Sequence, residues 1–525
     1  DSSDPGGTAP TVVDASGLTP SLASSSALPN STSTTTVSLY FGGRNQDRAP
    51  GGYSGPSNPP PSGTAYFTLN TSDVGKYSIN LTDGSNSGHC RPSCTGSTAT
   101  VTVRPFGVVV TNIKNAGGTA NPGATTSTGG VFTGAGQNFS ATVTGVQWQS
   151  GDDANSDGIP DDYTTLASSP VTASYGWATT LDRCLTSTRM GSSGPYCSYA
   201  PSSGTLGTLS NGTLAQTSFS GGSGTDSTLQ YSQVGSFMLS ASATNFLNTS
   251  GVNVTGYSGA IGRFTPDHFV VTRQLGLGSC TTATFAYSGQ PFLTTTVSAV
   301  NAAGTATTNY SASTGFAKTV TVGDATNGAT NFSGNTFANF SATGSEQSTS
   351  VTYTFPAKET APATLTLRAT DTDGVSSATS GSEPSVLIRS GRLRIAQANG
   401  PEFVNLSVPI YLESYQDTGG GVYGWITTTD DTCTTPVTSD FSLGTFTGSL
   451  TAGNTVISNI NNVSPGIYTL TIGKPGVTGS AILTGNLTTE TWLYSDWATQ
   501  NVLTKPTALI SFGIYTGNPH QIYIH

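Results

Sequence analysis

Phe139-Ser-Ala-Thr-Val-Thr-Gly-Val-Gln-Trp148 opens with Phe139, Ala141 and Val143 separated by Ser140, Thr142 and Thr144. Apolar and hydroxyl side chains thus alternate with a period of two, the signature of a strand with one face in a core and one in water. Ser236-Phe-Met-Leu-Ser-Ala-Ser-Ala243 repeats the pattern, with Phe237, Leu239, Ala241 and Ala243 on one face. Shorter runs of the same kind occur throughout: Thr36 to Phe41, Tyr77 to Thr82, Thr98 to Val103, Val351 to Phe355, Thr364 to Ala369, Ile510 to Tyr515 and Gln521 to His525. Gly, Pro and Asn turn residues separate them.

Composition points the same way. Long stretches of Ala, Leu, Glu and Lys, which lose least entropy in a helix, are absent, and Val, Thr, Ile, Tyr and Phe fill the patterned runs. Glycine accounts for 65 of 525 residues and charged residues for only 9%, against roughly 25% in ordinary globular domains. With 20 Tyr and 21 Phe there is enough apolar matter for several cores. The predicted fold class is all-β: tandem immunoglobulin-like β-sandwich modules with little helix. Residues 1–35, rich in Ser, Thr, Pro and Gly, read as a linker or assembly arm. Sandwiches are expected over 36–106, 107–265 and 266–390, and a C-terminal β domain over 391–525.

The net charge of −10 comes from 28 acidic and 18 basic residues spread thinly. No basic patch interleaves with aromatics, so nucleic acid is not an expected partner. No apolar run approaches the ~20 residues that span a bilayer, so no membrane insertion is expected. The opening at Asp1 reads as that of a mature, exported chain, and the cysteines fit that compartment. Cys90 and Cys94 are neighbours, Cys184 and Cys197 bracket a Gly/Ser-rich loop, and Cys280 and Cys433 remain. Pairing by proximity gives three disulfides among about 15 connectivities that six cysteines allow. A metal at His89, Cys90 and Cys94 would need a second Cys/His pair at zinc spacing, and none is present.

The sharpest chemical motif is Asp152-Asp-Ala-Asn-Ser-Asp-Gly-Ile-Pro-Asp-Asp162. Asp153, Asn155 and Asp157 place oxygen ligands at alternate positions, Gly158 permits the turn, Ile159 offers its carbonyl, and Asp161 or Asp162 completes the set, as in calcium loops. Structural calcium is therefore the expected cofactor. The alternative is an Asx-rich surface turn, because Asn, Asp and Gly form turns without a metal. Asp371 with Asp373, and Asp430 with Asp431, read as plain turns.

Catalytic patterns are missing. No Gly-x-Ser-x-Gly elbow, His-Glu-x-x-His or phosphate-cradling loop occurs, and the reading is non-enzymatic. A β-rich glycosidase stays open in principle, since its two carboxylates need be neighbours only in space. In Gly262-Arg-Phe-Thr-Pro-Asp-His-Phe269, the residues Arg263, Asp267 and His268 read as a structural polar knot at a domain junction.

That octapeptide resembles a landmark of MshQ-like proteins, surface proteins associated with mannose-sensitive haemagglutinin type IV pili of bacteria. So do, in order, Arg104-Pro-Phe106, the acidic loop, Cys280 to Phe292, Ser390-Gly-Arg-Leu-Arg-Ile-Ala396, Gly424 to Cys433, Trp492-Leu-Tyr-Ser-Asp-Trp497 and Phe512 to Asn518. The resemblance implies a secreted or surface-anchored β-rich protein tied to pili or adhesion, with no known enzymatic activity. Its expected partners are copies of itself or pilus components. The alternative is an adhesin that takes a surface or glycan ligand through its sandwich loops.

Overall fold

A computed structural model describes residues 18–24, 38–42, 66–71, 73–83, 94–97, 100–155, 157–190, 194–497 and 502–513. Strands and short 3-10 turns make up its regular structure, and no α-helix occurs among the described residues. The chain divides into two compact units, 1–265 and 266–525.

In the first unit, Gly75–Asp83 pairs with Cys94–Ser97 and Val101–Val103, while Ser38–Gly42 pairs with Tyr66–Asn70. The stretch expected to be a linker contributes a strand: Leu18–Ser24 runs antiparallel to Gly75–Asp83, from Leu18 opposite Asp83 to Ser24 opposite Tyr77. Backbone pairing satisfies donors and acceptors whatever the side chains, so a Ser/Pro-containing run can serve as a strand. The rest of 1–35 lies outside the described residues.

Eight of the ten strands described between 107 and 265 form one continuous path, with Thr133–Gly134 added beside Val254–Thr265 and Phe219–Ser220 beside Ser223–Tyr231. Its order is Leu209–Ser210, Ser223–Tyr231, Asn138–Val146, Gly107–Asn115, Val254–Thr265, Gly235–Ala243, Thr179–Arg183 and Thr213–Leu214. The first and last members are separated by two residues of chain, so the sheet wraps round and its ends meet. The alternation read from sequence is what fills the inside: Phe139, Ala141 and Val143 face Phe237, Leu239, Ala241 and Ala243 in one core. Phe264 is its hub, with ring centroids 5.5 Å from Phe132, 5.8 Å from Phe139, 5.1 Å from Tyr231 and 5.9 Å from Phe237. The pairing of Val254–Thr265 with Gly107–Asn115 is parallel and sets Gly256 opposite Val108. A Cβ at 256 would lie 1.8 Å from the Val108 carbonyl oxygen, so only glycine admits this approach.

The second unit holds two sandwiches. In the first, His268–Gln274, Thr294–Val300 and Ser345–Ser348 form one sheet. The other sheet takes Ala286–Tyr287, Ser385–Arg389, Ala363–Asp371, Val320–Asp324 and Thr336–Phe337. The run Val351 to Phe355 yields only the two-residue strand Thr352–Tyr353, because its partner Phe332–Ser333 is equally short and Pro356 cannot donate to a ladder. In the C-terminal sandwich, Gly391–Ile395, Leu406–Gly419, Ile467–Ile472 and Ile457–Ser464 form one sheet, with Val422–Thr427 also on Leu406–Gly419. The facing sheet is Ala398–Gly400, Thr507–Phe512, Gly479–Gly485 and Phe441–Gly448. Val408, Ile410 and Leu412 from one sheet meet Ala481, Leu483 and Ile510 from the other. On the outer face, buried Glu413 pairs with Arg392 at 2.7 Å and Arg394 at 2.6 Å, and the Arg392 guanidinium lies 4.3 Å over the Trp425 ring.

The two sandwiches of this unit share a core. Phe285 and Tyr287 belong to the first in sequence but pack among the core residues of the second. The Tyr287 hydroxyl donates to Asp431 at 2.8 Å, and Cys280 is bonded to Cys433. Lys358 donates its ammonium to the Trp492 carbonyl. Burial lowers its pKa from 10.5 to about 8, and Asp496 opposes the shift.

A lysine whose pKa falls on folding binds fewer protons in the native chain than in the unfolded one, so stability rises with pH between the two values. The wild type should therefore gain stability relative to Lys358→Met from pH 8 to 9.5, by at most about 1.4 kcal/mol per pH unit. Calorimetric scans of both proteins across that range check this; parallel profiles would refute the burial argument.

Candidate functional site

The acidic loop follows the strand Asn138–Val146 directly, and Trp148 sits at its entrance. Asp153 is buried at 4% exposure although it is a carboxylate. Its two oxygens accept the Trp148 indole N–H at 2.8 Å and the backbone N–H groups of Asp157 and Gly158, both at 3.0 Å. Asn155 accepts from the Asp157 N–H at 3.1 Å, Asp157 from Ile159 at 2.8 Å, Asp161 from Ala154 at 2.8 Å, and Asp162 from Thr164 at 2.8 Å. The loop is thus a chain of carboxylate-to-backbone turns centred on Asp153. Among the described residues no three His, Cys, Asp or Glu side chains are gathered as a metal-binding group. The donor types, carboxylate, amide and peptide oxygens, are those calcium takes.

Arg104 clamps the loop from outside. Its guanidinium donates to the carbonyls of Pro105 and Phe106, both at 3.0 Å, and to that of Gly158. Burial holds its pKa below the ordinary arginine value, while Tyr163, Asp157 and Asp153 pull it back up. Arginine stays protonated, so a cation is fixed between the first module and the loop.

Arg104 and Trp148 border a cavity of 260 Å³, whose walls also include Asp73, Val74, Phe106, Gln147 and Thr172. Trp148 remains 52% exposed, with its indole N–H pinned by Asp153. Asp73 is buried and accepts the N–H groups of Val74 at 2.9 Å and Ser174 at 3.0 Å. Thr172 is 3% exposed, and its hydroxyl has no hydrogen-bond partner. The lining therefore combines a fixed aromatic plane, an amide, one acid and one base.

The other predicted positions fall into separate local roles. Cys184 is bonded to Cys197, as Cys280 is to Cys433. The Cys90 and Cys94 pairing lies outside the described residues, as does the strand expected at Gln521 to His525. Arg263 is buried in the first unit and donates to the Gly129 carbonyl at 3.0 Å. In the second unit, His268 Nδ1 lies 2.8 Å from the Asp267 carboxylate. Asp371 accepts the Tyr310 hydroxyl at 2.9 Å and the N–H groups of Asp373 and Val375, both at 2.9 Å. Asp431 caps Cys433 and Thr434, and Asp430 pairs with Arg389 at 2.8 Å.

The residues that sequence reasoning missed are those of the cavity. Trp148 reads only as the end of a strand, and Arg104 only as a landmark. One local signal was present: a tryptophan five residues before an acidic residue in a turn. Asp73 and Thr172, ninety-nine positions apart, carry none.

Several sequence profiles of one family, DUF6701, match in succession: its second domain over residues 104–230, its third over 233–388 and its fourth over 389–525. The border between the second and third falls inside the wrapped sheet, whose strands Gly235–Ala243 and Val254–Thr265 complete it. No curated protein matches. Among solved structures the chain is similar to the Escherichia coli adhesin FdeC at 12% identity, over 78% of this chain and 98% of that one, with a TM-score of 0.29. It is also similar to domains 5-6 of the S-layer protein SbsC at 11% identity, over 47% of this chain and 100% of that one, with a TM-score of 0.12. Drosophila N-cadherin EC1-4 matches at 9% identity, over 84% of each chain, with a TM-score of 0.14. Likenesses this loose carry no functional argument. Matched by consecutive domains of one family from residue 104 to residue 525, the chain belongs to the DUF6701 family.

Proposed function

We propose that this chain is a non-enzymatic, extracellular protein of the bacterial surface, a structural subunit of a pilus-associated or self-assembling filament like the MshQ-like proteins its landmarks resemble. The observation that carries this reading is the covalent tie between successive sandwiches, Cys280 to Cys433. Disulfides persist in oxidising compartments, and a bridge between modules serves a chain that works as a multi-module strut. The charge-poor, hydroxyl-rich composition and the absence of a helix long and apolar enough to cross a membrane, among the described residues, are consistent with it. The cavity beside Trp148 favours the second reading, an adhesin with a surface or glycan ligand.

Calcium belongs to the proposal. Asp153, Asn155, Asp157, the Ile159 carbonyl, Asp161 and Asp162 would hold it, and it would neutralise their clustered charge. Electron microscopy of the purified protein with and without a chelator tests assembly and cation together. The expected result is filaments of regular repeat that fray on chelation. A calcium-dependent gain of about 2.7 kcal/mol in stability is expected at a hundredfold excess over the dissociation constant. Discrete monomers in both conditions would reject the filament, and a melting temperature indifferent to calcium would leave the loop as a hydrogen-bonded turn.

A further inference from the structure

We propose that the cavity walled by Trp148, Arg104, Asp73, Gln147 and Thr172 is a binding site for one neutral, polyhydroxylated ring, a single sugar residue. This goes beyond the assembly reading, since filaments can form with or without an occupied cavity.

Size argues first. At 260 Å³ the cavity is smaller than the roughly 300–1,000 Å³ of sites that hold drug-sized molecules, so its occupant is a single ring rather than an extended ligand. Charge argues second. One carboxylate, Asp73, and one guanidinium, Arg104, line the walls and offset each other, so neither an anion nor a cation is favoured. Arg104 also directs three of its hydrogen bonds to peptide carbonyls, which leaves it a poor clamp for a carboxylate ligand.

The walls supply what a sugar ring needs. Its C–H face is apolar and its edge is a ring of hydroxyls, so it asks for a flat aromatic surface and nearby amide, hydroxyl and carboxylate groups. Trp148 offers the surface. Being half exposed, a tryptophan would ordinarily be mobile, yet its indole N–H is held at 2.8 Å by a buried carboxylate that the loop backbone holds in turn. The ring is therefore set in place before any ligand arrives, which reduces the ordering cost of binding. Gln147 adds an amide to the lining, and Asp73 a carboxylate.

Saturation-transfer NMR on the full chain with D-galactose, D-mannose, D-glucose and N-acetylglucosamine, each in the millimolar range, tests the site. Acetate serves as the anionic control. Transfer to ring protons of at least one sugar is expected, with none to acetate. Trp148→Ala should reduce the transfer at least tenfold, Trp148→Phe should keep part of it, and Gln147→Ala should weaken it severalfold while leaving the melting temperature unchanged. The proposal is overturned if folded wild type shows transfer to no sugar, if acetate alone responds, or if the signal survives both Trp148→Ala and Gln147→Ala. Should Trp148→Ala fail to fold, the Gln147→Ala and Trp148→Phe results decide. Filaments seen by microscopy without sugar binding would refute this site alone and leave the assembly reading intact.

Discussion

Replacing Cys280 and Cys433 together by serine should destabilise residues 266–525 by about 3–5 kcal/mol. The bond closes a loop of 153 residues, and in the chain-entropy account so long a loop withholds close to 5 kcal/mol of freedom from the unfolded chain. The lower figure allows for structure that the reduced, unfolded chain retains; the native contacts of Phe285 and Tyr287 in the shared core, and of Tyr287 with Asp431, are common to both proteins and cancel. Urea unfolding of wild type and variant, read by tryptophan fluorescence, measures the difference. A loss below about 1 kcal/mol would mean that the packed core alone joins the two sandwiches.

Phe264→Ala should cost the first unit about 3–5 kcal/mol. The side chain is fully buried and touches four aromatic rings that come from different strands of the wrapped sheet or lie beside it. Truncation removes the transfer energy of the ring and leaves a void that Phe132, Phe139, Tyr231 and Phe237 cannot all collapse to fill. Each edge or tilted aromatic contact adds roughly 0.5–1.5 kcal/mol beyond area. Phe264→Leu keeps most of the volume and should cost roughly half as much. Thermal melts of the three proteins check the ordering; equal losses for leucine and alanine would show that ring geometry, not volume, sets the cost.

Strand identity was legible wherever one face is buried. Phe139 to Val143 and Phe237 to Ala243 alternate because they face a core, and the structure buries the residues their period marks. Partnership between strands was not legible. Nothing in the local pattern of Gly256 says that it approaches Val108 in parallel, because that contact depends on a chain reversal about 150 positions long. The strand Leu18–Ser24 was hidden for the opposite reason: its residues suggest a linker, and backbone pairing overrides them. The acidic loop announced itself through its spacing. The cavity beside it did not, since Asp73, Arg104, Trp148 and Thr172 meet only once two modules are folded.

The bridge from Cys280 to Cys433 also decides what happens when the chain is pulled. Tension entering near residue 266 and leaving beyond residue 433 passes from one sulfur to the other, and the stretch 281–432 between them carries none of it. Fully drawn out, that stretch would add roughly 520 Å of length at about 3.4 Å per residue. With the bond in place none of that slack can be paid out, so most of the first sandwich of this unit keeps its folded length under load, and extension is confined to the stretches outside the two sulfurs, 266–279 and 434–525.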